Sequence, residues 1–154
     1  VARGQIQIEG LNDLTRSFGT FPKEVRQNIN NAGRKIAKEV IVQSRRTAAG
    51  QGKLSKMAAE GLVTGSGRVP NIKYGGTAIL RTKKNGQVVR RKDVIFGAIF
   101  GSTQYKQFPP RSPKSGRGNE GYFLYPDIQR MRGYIQKQYL EAVDGAIRRV
   151  VSGG

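Results

Sequence analysis

Proton transfer, nucleophilic attack and metal binding draw on a short set of side chains, and this sequence is missing two of the commonest. Histidine and cysteine are both absent. Neither a serine–histidine pair, nor a thiolate nucleophile, nor a histidine-ligated metal site can therefore be assembled. Ten carboxylates remain: Glu9, Asp13, Glu24, Glu39, Glu60, Asp93, Glu120, Asp127, Glu141 and Asp144. They are dispersed, and most fall on expected helix surfaces, where a solvated ion pair accounts for them. Glu141 and Asp144 share a helix face with Lys137 and Arg148 as neighbours, the spacing of surface pairs. A Mg²⁺ nuclease site gathered from distant carboxylates is the one metal chemistry this inventory leaves open. Gly65-Ser66-Gly67-Arg68 and Gly116-Arg117-Gly118 are glycine-rich, yet neither continues into the Lys-Ser/Thr ending of a phosphate loop. The residues point away from an enzyme and call for no cofactor.

Positive charge is what the chain has in excess. Lys and Arg number 28 against those ten acids, a formal charge of +18. Such a surface repels itself and normally persists beside polyanions or acidic partners. Nucleic acid and an acidic protein surface are both consistent with it, as is a cationic surface that only maintains solubility. The basic residues cluster in three places. Arg81, Lys83, Lys84, Arg90, Arg91 and Lys92 face a single acid, Asp93, and Lys106, Arg111, Lys114 and Arg117 face only Glu120. Arg34, Lys35, Lys38, Arg45 and Arg46 form the third group. Aromatics interleaved with such cations could stack bases. Here they sit at the ends of elements, so Tyr122, Phe123 and Tyr125 read as core and loop anchors. No zinc finger, RNA-recognition motif or recognition-helix pair is present.

The elements that carry these charges follow from periodicity. Gln5 to Glu9 alternates polar and apolar residues, as a half-buried strand does. Leu11, Leu14 and Phe18 then recur at helical spacing. Pro22 suits the first turn of a helix, where its missing N–H costs nothing. Val25, Ile29, Ala32, Ile36 and Val40 form one narrow stripe, which predicts a helix to about Arg46 or Thr47. Leu54, Met57 and Ala58 allow one or two helical turns, and Asn71 to Tyr74 a short strand. Residues 77–82 and 87–90 flank Lys83-Lys84-Asn85-Gly86, and Asn-Gly between extended runs is a strong hairpin signal. The hairpin spans about residues 77–93. Asp93 to Phe100 reads as an apolar, buried strand. Pro126 and Asp127 open a closing helix with the stripe Ile128, Met131, Ile135, Tyr139, Ala142, Ala146 and Val150. The expected product is one α+β domain over 1–154, a short antiparallel sheet packed against two long helices. No apolar run approaches the roughly 18 residues of a membrane helix.

A long loop, about residues 101–121, precedes the closing helix. Pro109, Pro110 and Pro113 deny it regular backbone pairing, and a loop of this length is usually functional. Phe100-Gly101, then Phe108-Pro109, then Gly121-Tyr122-Phe123-Leu124-Tyr125-Pro126, with helices on both sides, resembles the tail-completion (head–tail joining) proteins of long-tailed bacteriophages. Ile99 stands where that family often carries an acidic residue. The likeness spans nearly the whole chain. It implies a structural virion protein that joins the tail to the DNA-filled head as part of an oligomeric neck ring. Its partners would be copies of itself and neighbouring neck or tail proteins, with DNA close by in the channel and no membrane. Its place would be the host cytoplasm during assembly and then the virion. The expected contact residues are Arg81, Lys83, Lys84, Arg90 and Arg91 of the hairpin, Phe108, Arg111, Lys114 and Arg117 of the loop, and the aromatics Phe100, Tyr122, Phe123 and Tyr125. A sequence-nonspecific nucleic-acid-binding module is the alternative, resting on charge alone.

Overall fold

The computed structural model describes residues 4–7, 21–67, 69–100 and 123–153. The helical spacing at Leu11, Leu14 and Phe18, the loop at 101–121, and the contact candidates Phe108, Arg111, Lys114, Arg117 and Tyr122 lie outside the described residues.

The chain is α+β. Its first long helix, α1, runs Lys23–Gly50 and buries Val25, Ile29, Ile36, Ala37, Val40, Ile41 and Ala48 along one face. The sequence stripe is thus the buried face, and Pro22 stands at the N-cap, one place before the first helical residue. Its carbonyl accepts the Arg26 N–H at 3.1 Å, while Glu24 lies beside the positive end of the helix dipole. The helix continues past Thr47 to Gly50, and Gly52, at φ +128°, then turns the chain into α2, Lys53–Ala59.

Three strands form the first sheet: β1 (Gly4–Gln7), β2 (Val63–Thr64) and β3 (Asn71–Tyr74). All pairings are antiparallel, with β3 in the centre, Ile6 opposite Ile72 and Val63 opposite Lys73. The central position explains why Asn71, Ile72 and Tyr74 are all buried. Gly65 is required at the end of β2. A Cβ there would lie 2.5 Å from Asn71 Oδ1, while the Gly65 N–H already donates to the Asn71 carbonyl at 2.7 Å.

A separate two-stranded sheet, β4 (Ile79–Thr82) and β5 (Val88–Arg90), is the expected basic hairpin. Its turn closes with the Gly86 N–H on the Lys83 carbonyl at 2.9 Å and the Lys83 N–H on the Gln87 carbonyl at 2.8 Å. Only Gly86, at φ +79°, is left-handed in this turn. The geometry is therefore a three-residue turn with a glycine bulge, rather than the two-residue type that Asn-Gly most often makes.

Residues after the hairpin depart from the sequence expectation. Asp93 to Phe100 belongs to a helix, α3 (Arg91–Phe100), not to a buried strand. A short run buried on most sides shows no period that separates strand from helix. Its start decides the matter: Asp93, the third helical residue, accepts the Arg90 backbone N–H at 2.9 Å, the acidic half of a capping box. The helix satisfies its own backbone and packs Val94, Ile95, Ala98 and Ile99 into the core, much of it against α2.

The closing helix, α4, spans Tyr125–Gly153. It lies antiparallel to α1, as two cross-helix hydrogen bonds show. The Thr47 hydroxyl donates to Asp127 at 2.8 Å, and the Tyr134 hydroxyl donates to Glu39 at 2.7 Å. Ile135, Tyr139, Val143 and Ala146 fill the interface, with Ile128 and Met131 partly buried. The three-stranded sheet touches α1 through β2 and β3. At Gly33 the helix backs so closely onto Pro70 that an added Cβ would come within 3.3 Å of its nitrogen.

Candidate partner-binding surface

The basic residues of the hairpin divide into those the fold uses and those it leaves in water. Arg91, in the first turn of α3, points inward. Its Nε donates to the Met57 carbonyl at 3.0 Å, at the C-terminal end of α2, and its Nη2 meets the Glu60 carboxylate at 3.5 Å. The side chain keeps only 18% of its exposure. Its stem also fills the space over Gly61, where a Cβ would lie 2.3 Å from Arg91 Cδ. Arg45 caps the same end of α2 from the other direction, donating to the carbonyls of Ala59, Glu60 and Leu62 at 3.0–3.4 Å. Two cations thus donate to carbonyls at and just beyond the C-terminal end of α2, where the helix dipole favours positive charge. Arg90 is half-buried, and its guanidinium donates to the Thr77 carbonyl at 2.8 Å across the base of the hairpin.

Arg81, Lys83 and Lys84 are exposed. Lys83 donates to the neighbouring Gln87 amide at 2.9 Å, and none of the three forms an ion pair among the described residues. The nearest hairpin acid, Asp93, is already engaged at the start of α3. The free charge of this region therefore belongs to Arg81 and the turn, while Arg90 and Arg91 hold the hairpin and α3 in place.

The aromatic candidates also divide. Phe123 is fully buried and anchors the entry to α4. Phe100 and Tyr125 are half-buried and pack on one another with ring centroids 5.2 Å apart. Phe96 stacks on Phe100 at 6.3 Å and meets Tyr74 edge-on at 5.6 Å. This joins β3, α3 and the start of α4 in one chain of rings. Phe96 is 54% exposed, so the cluster reaches the surface. Neither Tyr74 nor Phe96 stood out in the sequence, because nothing in their spacing predicts that a strand and a helix bring them together.

One carboxylate changes character. The sequence places Asp127 in the first turn of the closing helix, yet its side chain is fully buried. It accepts the Leu124 N–H at 3.2 Å and the Thr47 hydroxyl at 2.8 Å, and pairs with Arg130. Leu124, also buried, is held at φ +71°, the one non-glycine residue in the left-handed region among those described. Asp127 is therefore a lock on the segment entering α4. Arg148 and Asp144, by contrast, make the exposed pair expected from their spacing, at 3.0 Å.

Burial pushes the Tyr139 hydroxyl up to about 12 and raises that of Tyr74. The hydrogen bond to Glu39 raises Tyr134. These shifts stabilise neutral phenols and poise none of them as a base. Among the described residues no group of three acids converges as a metal site would require. No described helix is long and apolar enough to cross a membrane. Comparison of the chain with family models, with curated proteins and with solved structures gives no match.

Proposed function

We propose that this chain is a structural assembly subunit that joins a bacteriophage tail to the DNA-filled head as part of an oligomeric neck ring. The observation that carries the reading is the hairpin. It is a two-stranded sheet separate from the three-stranded one, with exposed cations at and before its turn that no described acid neutralises. Its base is fastened by Arg90 and Arg91, so the turn is presented on a fixed support. The order of Phe100-Gly101, Phe108-Pro109 and Gly121–Pro126 between long helices supplies the link to the tail-completion family. The mechanism is non-covalent: a packed α+β core presents a basic projection to acidic surfaces of adjacent subunits or neighbouring neck proteins. Charge complementarity of that kind sets partner choice and orientation more than raw affinity.

Reversal of Lys83 and Lys84 to Glu tests the reading, because both side chains are exposed and remote from the core. The expected result is a soluble, folded variant whose infections yield filled heads and finished tails that fail to join. Normal joining combined with lost DNA affinity would reject the assembly role and favour a nucleic-acid-binding module. A DNA binder would also show a steep fall of affinity with salt, set by its phosphate contacts.

A further inference from the structure

Beside the hairpin lies a cleft of about 280 Å³ between α2 and β4, lined by Lys53, Leu54, Met57, Leu80 and Arg81. Three of its five lining residues, Leu54, Met57 and Leu80, are apolar and half-buried. Its mouth is cationic. Lys53 and Arg81 flank it, Lys56 lies one helical turn beyond Lys53, and Lys83 and Lys84 follow Arg81 into the turn. These five side chains are exposed and form no ion pair among the described residues. The two acids nearby are occupied, Glu60 with Arg91 and Asp93 with the Arg90 N–H.

We propose that this cleft is a docking site for an acidic peptide segment of a partner protein, which inserts one aliphatic side chain between α2 and β4 while its carboxylates meet the surrounding cations. The size sets the occupant. At about 280 Å³ the cleft lies at the lower edge of the range for whole small molecules and has room for one large aliphatic side chain. Its lining favours a peptide over nucleic acid. A groove for single strands stacks bases on aromatic rings, and no ring lines the cleft, while a duplex would use the cations and leave the aliphatic lining empty. Met57 suits an aliphatic guest, since its unbranched thioether adapts to the shape offered. Unpaired Lys53 and Arg81 at the cleft, with Lys56, Lys83 and Lys84 exposed on the adjoining helix and turn, select against basic or neutral segments. The inference rests on the reading above that the hairpin docks on protein, and adds the chemistry of the partner and the point of insertion.

A fluorescence anisotropy titration of the full chain tests it with three labelled peptides. The first has a central leucine flanked by three Asp or Glu on each side. The second replaces that leucine with serine, and the third keeps it but replaces the acids with Ser and Gln. The first is expected to bind about tenfold or more tightly than the second, the effect of burying one leucine. It is also expected to exceed the third, by a margin that shrinks at high salt. Arg81→Glu is expected to weaken the first peptide about tenfold, and Met57→Phe, which fills the cleft, to remove the preference for leucine over serine. Equal binding of the first two peptides would overturn the insertion. Equal binding of the first and third would overturn the acidic partner. Failure of all three peptides, with Arg81-dependent binding of a 20-base-pair DNA duplex, would assign the cations to nucleic acid instead. If the peptides fail while Lys83→Glu with Lys84→Glu still blocks head–tail joining, the cleft is refuted and the assembly role stands. If the leucine peptide binds as expected while joining is normal, the cleft stands and the assembly role is refuted.

Discussion

Asp127→Ala is the substitution whose cost the structure defines most closely. The carboxylate is fully buried and accepts hydrogen bonds from the buried Leu124 N–H and the half-buried Thr47 hydroxyl. Its partner Arg130 is 64% exposed, so that ion pair contributes little. Truncation leaves the N–H of a fully buried leucine without an acceptor, a penalty of about 1–3 kcal/mol. It also removes the capping interaction that starts α4, worth about 0.5–2 kcal/mol on its own and overlapping with the first term. Against this, the variant no longer desolvates a carboxylate. The net expectation is a loss of about 1–3 kcal/mol, with Asp127→Asn costing about half as much because it keeps an acceptor oxygen. Urea unfolding followed by circular dichroism measures this as a lower midpoint at unchanged slope. Asp144→Ala is the control: its pair with Arg148 is exposed on both sides, and its removal should shift stability by no more than about 0.5 kcal/mol. If Asp127→Ala proves no more damaging than that control, the lock assigned to this residue is wrong.

The other expectations concern the core, the hairpin support and alkaline pH. Ile36→Ala and Ile135→Ala, at buried positions on α1 and α4, should each cost about 2–5 kcal/mol in a thermal or urea melt; wild-type stability in either would place its face in solvent. Arg91→Ala should lose about 1–3 kcal/mol, because the Met57 carbonyl and the space over Gly61 both lose their partner, whereas Lys83→Glu with Lys84→Glu should stay within about 0.5 kcal/mol of wild type in the same assay. Tyr139 has its folded pKa raised from 10.0 to about 12, so its contribution is complete below pH 10 and is lost as pH rises through 12. A stability–pH profile of Tyr139→Phe should therefore fall less steeply than wild type between pH 10 and 12, and parallel profiles would contradict the burial of that phenol.

Much of the framework could be read along the chain, because its signals are local. A 3.6-residue recurrence of apolar side chains marks α1 and α4, since a stripe of that period can be buried only by a helix. The Asn85-Gly86 pair marks the hairpin, because glycine alone enters the left-handed region without steric cost. The chain's charge and the lack of histidine and cysteine follow from composition. The tertiary structure decided whatever depends on neighbours distant in sequence. Residues 93–100 are apolar on most sides and carry no period, so only their packing against α2 and the cap at Asp93 select helix over strand. Asp127 reads as a surface acid until Thr47 and Leu124 bury it. Arg90 and Arg91 look equivalent to Lys83 and Lys84 in a basic run, yet the carbonyls of Thr77 and Met57 claim them for the fold. The cleft between α2 and β4 has no sequence signature, since Leu54, Met57 and Leu80 become its walls only when the two-stranded sheet folds back beside the helix. Local steric and hydrophobic rules write secondary structure into neighbouring residues, whereas burial and partnership are pairwise quantities that exist only once the chain has met itself in space.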